Sequence, residues 1–257
     1  MKKGTDPFSM SQSEETQSRY YNSIAAVYDR HHSNKYVLEY RYDLYKKILK
    51  GIRLENLKVL DAMCGGGQNT GFLLKHNASV TGLDISEEQC RIYKKRYPQC
   101  DVECASMIRT PFPGATFDLV VVNSLHHLQP DIDKGIREIH RILKPGGYFL
   151  LWEPCADSLF DIFRRMWYKT DKKYFEKNER SIDLKKITVS FLSRFDLIRK
   201  KYGGNFAYLF LLGSMQLRIN PRFFKYFAPP FMALERFFNF LQPSFLSFWV
   251  SALLQKK

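Results

Sequence analysis

Two histidines and one glutamate follow apolar segments of this chain, at positions where an α/β protein can carry out chemistry. His126 and His127 come directly after the apolar run 117–123, and Glu153 ends the next apolar run. Histidine titrates near neutral pH and a carboxylate can also accept a proton, so each of the three is a candidate general base. Structural roles are the alternative: a histidine ring packed under the sheet or capping a helix, and a glutamate capping a helix or pairing with an arginine.

A glycine-rich segment precedes these residues. Gly65–Gly67 lie between an apolar run and a helix-like stretch. Glycine lets a ligand approach the backbone closely, and the helix start offers free N–H groups to an anion. Asp84 ends the next apolar run, 17 residues after Gly67, where a carboxylate can accept two hydrogen bonds from a ribose diol. The pattern predicts a nucleotide-type ligand, with a glycine turn that binds nothing as the alternative.

The glycine spacing narrows the ligand class. A dinucleotide site needs G-x-G-x-x-G, and counting from Gly65 the last position is Thr70. The sequence also lacks the phosphate-binding loop motif of nucleoside triphosphatases, because no Gly-Lys-Ser/Thr follows the glycines. The expected ligand therefore lacks a pyrophosphate.

Short apolar runs alternate with amphipathic stretches, which is typical of a doubly wound, mostly parallel sheet. We predict strands over 58–62, 79–84, 101–105, 117–123 and 148–153, and helices over 68–76, 86–97 and 132–143. Farther along, Phe195–Tyr202 and Phe206–Leu212 flank Gly-Gly-Asn, which predicts an antiparallel hairpin at the edge of a seven-stranded sheet.

The amino-terminal segment reads as helical, with a break near residues 31–34, and His31 and His32 are expected on its surface. Residues 1–9 are interpreted as an expression scar that precedes a native start at Met10. The predicted organisation is a helical cover over 10–50, a core over 51–212 that carries a helical insertion over 155–193, and a basic, aromatic, helical tail over 213–257.

Four segments in register resemble the class I S-adenosylmethionine-dependent methyltransferases, and most nearly the small-molecule enzymes similar to those of ubiquinone and menaquinone biosynthesis. The segments are VLDAMCGGGQNT, VTGLDIS, TPFPGATFDLVVVNSLHHL and RILKPGGYFLLWEP. The resemblance covers about residues 18–154 and continues weakly to 212. It implies a Rossmann-like α/β fold with a helical cover, S-adenosylmethionine as cofactor, and methyl transfer to a small-molecule acceptor.

The resemblance also implies which residues bind the cofactor. The glycine loop would surround the methionine part, Asp84 the ribose hydroxyls, and the segment after the third strand the adenine. Tyr28 would close over the cofactor. The implied set is Tyr28, Asp61, Met63, Cys64, Gly65, Gly67, Asp84, Ile85, Ser106, Met107 and Asn123.

Two positions depart from the family pattern. The family usually has glycine where Met63 stands and aspartate where Ser106 stands. A side chain at position 63 would narrow the loop. A serine hydroxyl at position 106 could still hydrogen-bond to the adenine amino group, but this bond would lack the charge assistance of a carboxylate. A non-catalytic S-adenosylmethionine-binding module is therefore one alternative function.

The charge is concentrated in the second part of the chain. The formal net charge is +14, of which residues 155–257 carry 19 Lys and Arg against 8 Asp and Glu. A basic stretch with interleaved aromatics, 167–180, is expected to be a solvated helix face, an acceptor site for an anionic molecule or, less readily, a nucleic-acid surface. An RNA methyltransferase is the second alternative, although no RNA-binding module is recognisable.

The tail is unusually aromatic: 11 of the 29 residues from Pro221 to Trp249 are Phe, Tyr or Trp. With the neighbouring cations, this composition predicts peripheral membrane contact through 221–249 or a cover on an apolar substrate. A homodimer interface or a pad against the sheet is the alternative. A lipid-linked acceptor would account for both the basic and the aromatic surface.

The five cysteines are odd in number and form no C-x-x-C pair, so we predict reduced thiols and no metal site. Neither a secretory signal nor a membrane-spanning run is evident. The expected location is the cytoplasm, with the protein peripheral at the membrane if the tail binds lipid. The expected reaction is methyl transfer to oxygen or carbon of a small-molecule or lipid-linked acceptor.

Overall fold

A computed structural model describes residues 10–156, 158–162, 165, 193–239 and 243–257. Seven strands form one sheet in the order β3-β2-β1-β4-β5-β7-β6. They are β1 (Lys58–Ala62), β2 (Ser79–Asp84), β3 (Asp101–Cys104), β4 (Phe117–Asn123), β5 (Leu143–Pro154), β6 (Phe195–Gly203) and β7 (Trp249–Lys256). Strand β7 pairs antiparallel with both β5 and β6, whereas β1 to β5 pair in parallel. The predicted α/β class and seven-stranded, mostly parallel sheet are confirmed.

Seven α-helices lie wholly within the described residues: α1 (Gln12–His32), α2 (Lys35–Ile48), α3 (Thr70–Lys75), α4 (Glu87–Arg96), α5 (Ile132–Ile142), α6 (Phe206–Leu211) and α7 (Phe224–Phe238). The predicted break near 31–34 is confirmed, because α1 ends at His32 with Ser33 as its C-cap, and Asn34 caps α2 through a hydrogen bond from the Tyr36 N–H at 3.1 Å. Ser86 caps α4 at the start of the predicted helix over 86–97, accepting from the Gln89 N–H at 3.2 Å.

Helices cover both faces of the sheet. Along β4, Leu119 and Val121 belong to one core cluster and Val120 and Val122 to the other, because successive strand side chains point to opposite faces. Helix α5 packs on one face, while α2, α3, α6 and α7 pack on the other. The apolar character of β4 throughout follows from this two-sided burial.

The predicted hairpin is wrong in its second strand. Residues 206–211 form helix α6, and β6 pairs instead with β7, which begins at Trp249. The glycines do not make a hairpin turn: a Cβ on Gly203 or Gly204 would lie 2.6 Å from the Trp249 ring, so both glycines make room for that side chain. Asn205 then caps α6 by accepting from the Phe206 N–H at 2.6 Å.

The predicted helical tail is wrong over 249–256, because this segment is strand β7 in the interior of the sheet. Most of the predicted helical insertion over 155–193, including its basic stretch 167–180, lies outside the described residues, as does the suspected expression scar at 1–9. Among the helices that the structure describes, none combines the length and apolar character needed to cross a bilayer.

Candidate functional site

A deep cleft opens at the carboxyl ends of β1, β2 and β4, the edge at which open α/β sheets bind ligands. The volume of the cleft, counted together with its open mouth, is about 1030 Å³. Nine residues implied by the resemblance line it together: Tyr28, Met63, Cys64, Gly65, Asp84, Ile85, Ser106, Met107 and Asn123. Two others, Asp61 and Gly67, lie behind its wall.

The glycine loop has the left-handed backbone that its composition predicts. Gly65 has a φ of +52° and Gly67 a φ of +84°. A Cβ on Gly65 would lie 2.9 Å from Gln68 Oε1 and 3.7 Å from Gln89 Oε1, and both of these side chains line the cleft. A side chain at residue 65 would therefore crowd the side chains that line this part of the cleft.

Met63 occupies a backbone position that suits glycine. Its φ is +54°, a region that an L residue with a Cβ enters only at a cost of roughly 1–2 kcal/mol. This strain accounts physically for the family's glycine at this position. The Met63 side chain lines the cleft.

Asp84 lies at the end of β2 and faces the glycine loop. Its Oδ2 accepts from the Gly65 N–H at 2.8 Å and its Oδ1 from the Ser86 N–H at 2.9 Å. Burial raises the pKa of this carboxyl group, and the backbone hydrogen bonds oppose that effect. Since a carboxylate has about four acceptor sites, both oxygens retain capacity for a diol.

Asp61 braces the loop from behind. It is fully buried and accepts from Asn69 Nδ2 and Thr70 Oγ1, each at 2.8 Å. Burial raises its pKa to about 6 despite these two hydrogen bonds. Asn69 in turn accepts from Asn123 Nδ2 at 2.9 Å. Asp61 therefore fixes the Asn123 side chain, which lines the cleft, although Asp61 itself does not line it.

Arg41 on α2 lines the cleft and was missed by the sequence reasoning. Its side chain is 6% exposed, lies over the Trp152 ring at 5.0 Å, and donates to Asn69 Oδ1 at 3.3 Å. Its Nε has no hydrogen-bond partner, and no ion pair among the described residues involves this guanidinium. A buried cation of this kind suits an anionic ligand group.

Helix α1 lies across the cleft and is tied to its rim. Ser18 Oγ donates to the Ile85 carbonyl at 3.1 Å, and Asn22 Oδ1 accepts from Ser86 Oγ at 2.7 Å. Gln17 Nε2 donates to the carbonyl of His127. The predicted cover over residues 10–50 therefore contributes directly to the walls of the site.

The expectation that His31 and His32 are on the surface is wrong, because they are 8% and 7% exposed. His31 Nδ1 lies 2.9 Å from Ser214 Oγ, and the His32 ring lies 4.2 Å from that of Tyr28. Burial lowers the pKa of His32 to about 3, so this ring is neutral at physiological pH. The apparent surface helix is packed between the cleft and the carboxyl-terminal elements.

The three candidate bases separate into two environments. His127 is half-buried and lines the cleft, with the Tyr21 hydroxyl 3.0 Å from Nε2. His126 and Glu153 lie beneath it as a buried pair, with 2.8 Å between His126 Nδ1 and Glu153 Oε2. Glu153 also accepts from the Leu125 N–H at the start of a short 3-10 helix, which is the capping role weighed as its alternative.

The residues fit S-adenosylmethionine on observations of this structure alone. Asp84 offers acceptors to a diol, Gly65 leaves room for close approach, and the Arg41 Nε has no partner within the described chain. A carboxylate oxygen of Glu14, on the first turn of α1, is likewise without a partner there. The cleft thus holds a buried cation and a buried anion, and the amino-acid carboxylate and adenine amino group of the cofactor have the complementary chemistry.

The comparisons with known proteins agree on the class. A family model described as a methyltransferase domain matches residues 59–147. Phthiotriol/phenolphthiotriol dimycocerosates methyltransferase of Mycobacterium tuberculosis is 33% identical over 119 residues, covering 45% of this chain and 43% of that protein. Sterol 4-C-methyltransferase of Caenorhabditis elegans is 27% identical over 175 residues, covering 61% of this chain and 52% of that protein. The chain thus spans about half the length of these curated relatives.

Solved structures share the whole fold at low sequence identity. The cyclase SpnF superposes with a TM-score of 0.64 at 15% identity, covering 98% of this chain and 99% of that chain. The N-methyltransferase NodS of Bradyrhizobium japonicum, solved with S-adenosyl-L-homocysteine, has a TM-score of 0.58 at 13% identity and covers 96% and 99%. Residues 59–147 therefore match a methyltransferase domain, and the chain as a whole shares the fold of these solved structures.

Proposed function

We propose that this protein transfers a methyl group from S-adenosylmethionine to oxygen or carbon of a small-molecule or lipid-linked acceptor. One observation carries the proposal: the Asp84 carboxylate and the left-handed glycine loop face each other in a cleft that α1 covers. This arrangement suits a nucleoside with a short charged side chain better than a nucleotide with phosphates, because the Asp84 carboxylate itself accepts from the Gly65 N–H of the loop and its charge would repel a phosphate there.

Three groups of this chain would hold the cofactor. Asp84 would accept from the ribose hydroxyls, and Arg41 would pair with the amino-acid carboxylate. Asn123, fixed through Asn69 by Asp61, would line the space near the sulfur. When bound, the cofactor supplies an electrophilic methyl group on a positively charged sulfur.

The remaining catalytic task is orientation and the handling of one proton. Holding the donor and acceptor in contact contributes a large part of the rate in displacement reactions. We propose His127 as the general base for an oxygen acceptor, since it faces the cleft and lies beside Tyr21. His126 and Glu153 would act as positioning residues, because Glu153 fixes the backbone of the loop that presents His127.

A lipid-linked acceptor is favoured by an exposed aromatic surface on α7 and the turn before it. We call this surface the aromatic face; its exposed apolar members are Phe223, Tyr226, Leu234, Phe237 and Phe238. Arg222 and Lys225 are exposed among them. The relatives named for phthiotriol dimycocerosates, sterol and fatty-acid methylation act on lipids by their names, which agrees with this acceptor class.

We further propose that the aromatic face contacts an anionic lipid surface. Aromatic side chains bordered by cations are typical of interfacial segments, and anionic lipid complements the +14 net charge of the chain. Deleting the tail is not a valid test, because β7 lies between β5 and β6. The test is therefore co-sedimentation of the full chain with phosphatidylglycerol vesicles.

The double variant Tyr226→Ser, Phe237→Ser should lose most of the vesicle binding. The matched control is Leu197→Ser, Ile198→Ser, which removes two exposed apolar side chains from the edge strand β6. Equal sedimentation of the two variants, or no sedimentation of the wild type, contradicts contact through the aromatic face.

The methyltransferase activity itself is tested in two steps. Isothermal titration with S-adenosylmethionine and S-adenosyl-L-homocysteine establishes whether the cofactor binds. Transfer of labelled methyl from S-adenosylmethionine is then assayed on fatty acids, sterols, quinol precursors and total RNA. Cofactor binding without methyl transfer to any acceptor favours a non-catalytic module. Salt-dependent methyl transfer to RNA favours an RNA methyltransferase. Absence of cofactor binding contradicts the proposal.

A further inference from the structure

A glutamate of the amino-terminal helix faces the cleft with an oxygen that no hydrogen bond satisfies. Glu14 lies in the first turn of α1 and is 8% exposed. Its Oε2 accepts from the Ser11 N–H at 2.8 Å, whereas its Oε1 has no partner within the described part of the chain. Buried polar atoms in native proteins are normally paired, so the Oε1 atom calls for a donor from a ligand.

The position of Glu14 in the cleft indicates which part of a ligand it meets. Glu14 lines the cleft together with Ser106 and Met107, which follow β3. The register of β3 places Cys104 beside Asp84, so the 105–107 segment begins next to the carboxylate proposed to bind the ribose. Ser18, one turn farther along α1, is anchored to the Ile85 carbonyl. The base of an adenosine whose ribose binds Asp84 would extend toward this region.

The charge of Glu14 decides which chemical group it can accept. Burial raises the pKa of Glu14, but the nearby Ser106 hydroxyl, the hydrogen bond from Ser11 and the charge of Arg109 outweigh this effect, so the pKa lies below its usual value. Glu14 is therefore ionised at neutral pH and can only accept hydrogen bonds. An exocyclic amino group satisfies this oxygen, whereas a carbonyl oxygen in the same place would leave it unpaired.

We propose that Glu14 Oε1 accepts a hydrogen bond from the exocyclic 6-amino group of the adenine. The proposal rests on the proposed function and adds a determinant that lies outside the sheet. Ser106 offers only a neutral hydroxyl at this end of the cleft, and the carboxylate of α1 supplies the missing charge assistance. As a result, α1 would discriminate adenosine from inosine ligands.

The test compares two ligands on full-length variants by isothermal titration. S-adenosyl-L-homocysteine carries the 6-amino group, and S-inosylhomocysteine carries a carbonyl oxygen there. We expect the wild type to bind the inosyl ligand at least about 30-fold more weakly. In Glu14→Gln the affinity for S-adenosyl-L-homocysteine should fall about 10-fold or more, and the ratio of the two dissociation constants should shrink to a few-fold, because an amide can also donate to the carbonyl oxygen.

The inosyl base also differs from adenine at N1. Because that difference affects the wild type and the variant alike, the change in the ratio of the two dissociation constants isolates the contact at Glu14. Glutamine preserves the capping box of α1, which limits the structural effect of the substitution. Ser11→Ala is the matched control: it removes the Ser11 side chain of the same capping box but leaves the carboxylate, so the ratio should stay at its wild-type value.

Each outcome has one interpretation. Thermal denaturation checks that the Glu14→Gln protein is folded. A folded variant that retains the wild-type ratio of the two dissociation constants overturns the role of Glu14 while leaving the proposed function intact. A wild type that does not discriminate the two ligands has the same consequence. A wild type that binds neither ligand overturns the proposed function, and the role of Glu14 with it.

Discussion

The buried guanidinium of Arg41 gives the sharpest prediction about cofactor binding. Arg41 is 6% exposed, its Nε has no partner, and its hydrogen-bonding contacts are to neutral groups such as Asn69 Oδ1 at 3.3 Å. Replacing it in Arg41→Gln removes the charge and shortens the side chain while keeping a polar group. The variant should lose affinity only for ligands that carry the amino-acid carboxylate.

The size of the loss follows from the environment of the group. A hydrogen bond to a charged partner contributes about 1.5–3 kcal/mol. This corresponds to a dissociation constant for S-adenosyl-L-homocysteine that is roughly 10- to 150-fold higher. The ligand 5′-methylthioadenosine has the same nucleoside but no amino-acid group, so its affinity should change by less than about twofold.

Isothermal titration of both ligands against the wild type and Arg41→Gln measures the difference directly. Arg53→Gln is the control for loss of a positive charge, since Arg53 is exposed and bonded to Glu55 on the surface. Thermal denaturation without ligand checks that the variant is folded, because Arg41 also packs on Trp152. Equal losses for the two ligands, or no loss for either, would refute the assignment of the carboxylate to Arg41.

Three further perturbations test the rest of the site. Asp84→Asn should weaken S-adenosyl-L-homocysteine binding by about 1–3 kcal/mol, measured by isothermal titration, and an unchanged affinity in a folded variant counts against ribose binding at this residue. The pKa of Asp61 is raised from 3.8 to about 6 on folding, so its contribution to stability is present below pH 4 and is lost as the pH rises through 6. Urea denaturation from pH 4 to pH 7 should therefore show the wild type losing up to roughly 3 kcal/mol relative to Asp61→Asn, and parallel curves contradict the raised pKa. His127→Gln should lower kcat for an oxygen acceptor by about 100-fold or more with cofactor affinity retained, and an undiminished kcat assigns the proton transfer elsewhere.

The parts of the fold that were predictable are those with a local signal. Strands β1, β2 and β4 are short apolar runs buried on both faces, and Ser86 begins a helix with two acidic residues behind it. The run 206–211 has no such clarity, because a short apolar segment suits a buried strand and a buried helix equally. The pairing of β7 with β5 joins residues about a hundred positions apart, such as Leu150 and Leu253, and no local pattern encodes it.

The candidate site was predictable where glycine, aspartate and strand ends coincide, as at Gly65 and Asp84. Arg41 and Glu14 were not, because each lies on a helix that reads as a polar cover and is buried only by tertiary packing. Glu14 did have one signal, since its spacing from Ser11 forms a capping box, but that pattern indicates a helix start rather than a ligand contact.

The position of β7 has a consequence for how this chain is made. During synthesis, β6 emerges from the ribosome more than forty residues before the strand on which it forms its hydrogen bonds. Until residues 249–256 are released, the backbone edges of β5 and β6 are unpaired, and such edges promote association between nascent chains. The nascent protein is therefore exposed to aggregation through these edges until β7 leaves the ribosome, and protection by a chaperone would matter during that interval.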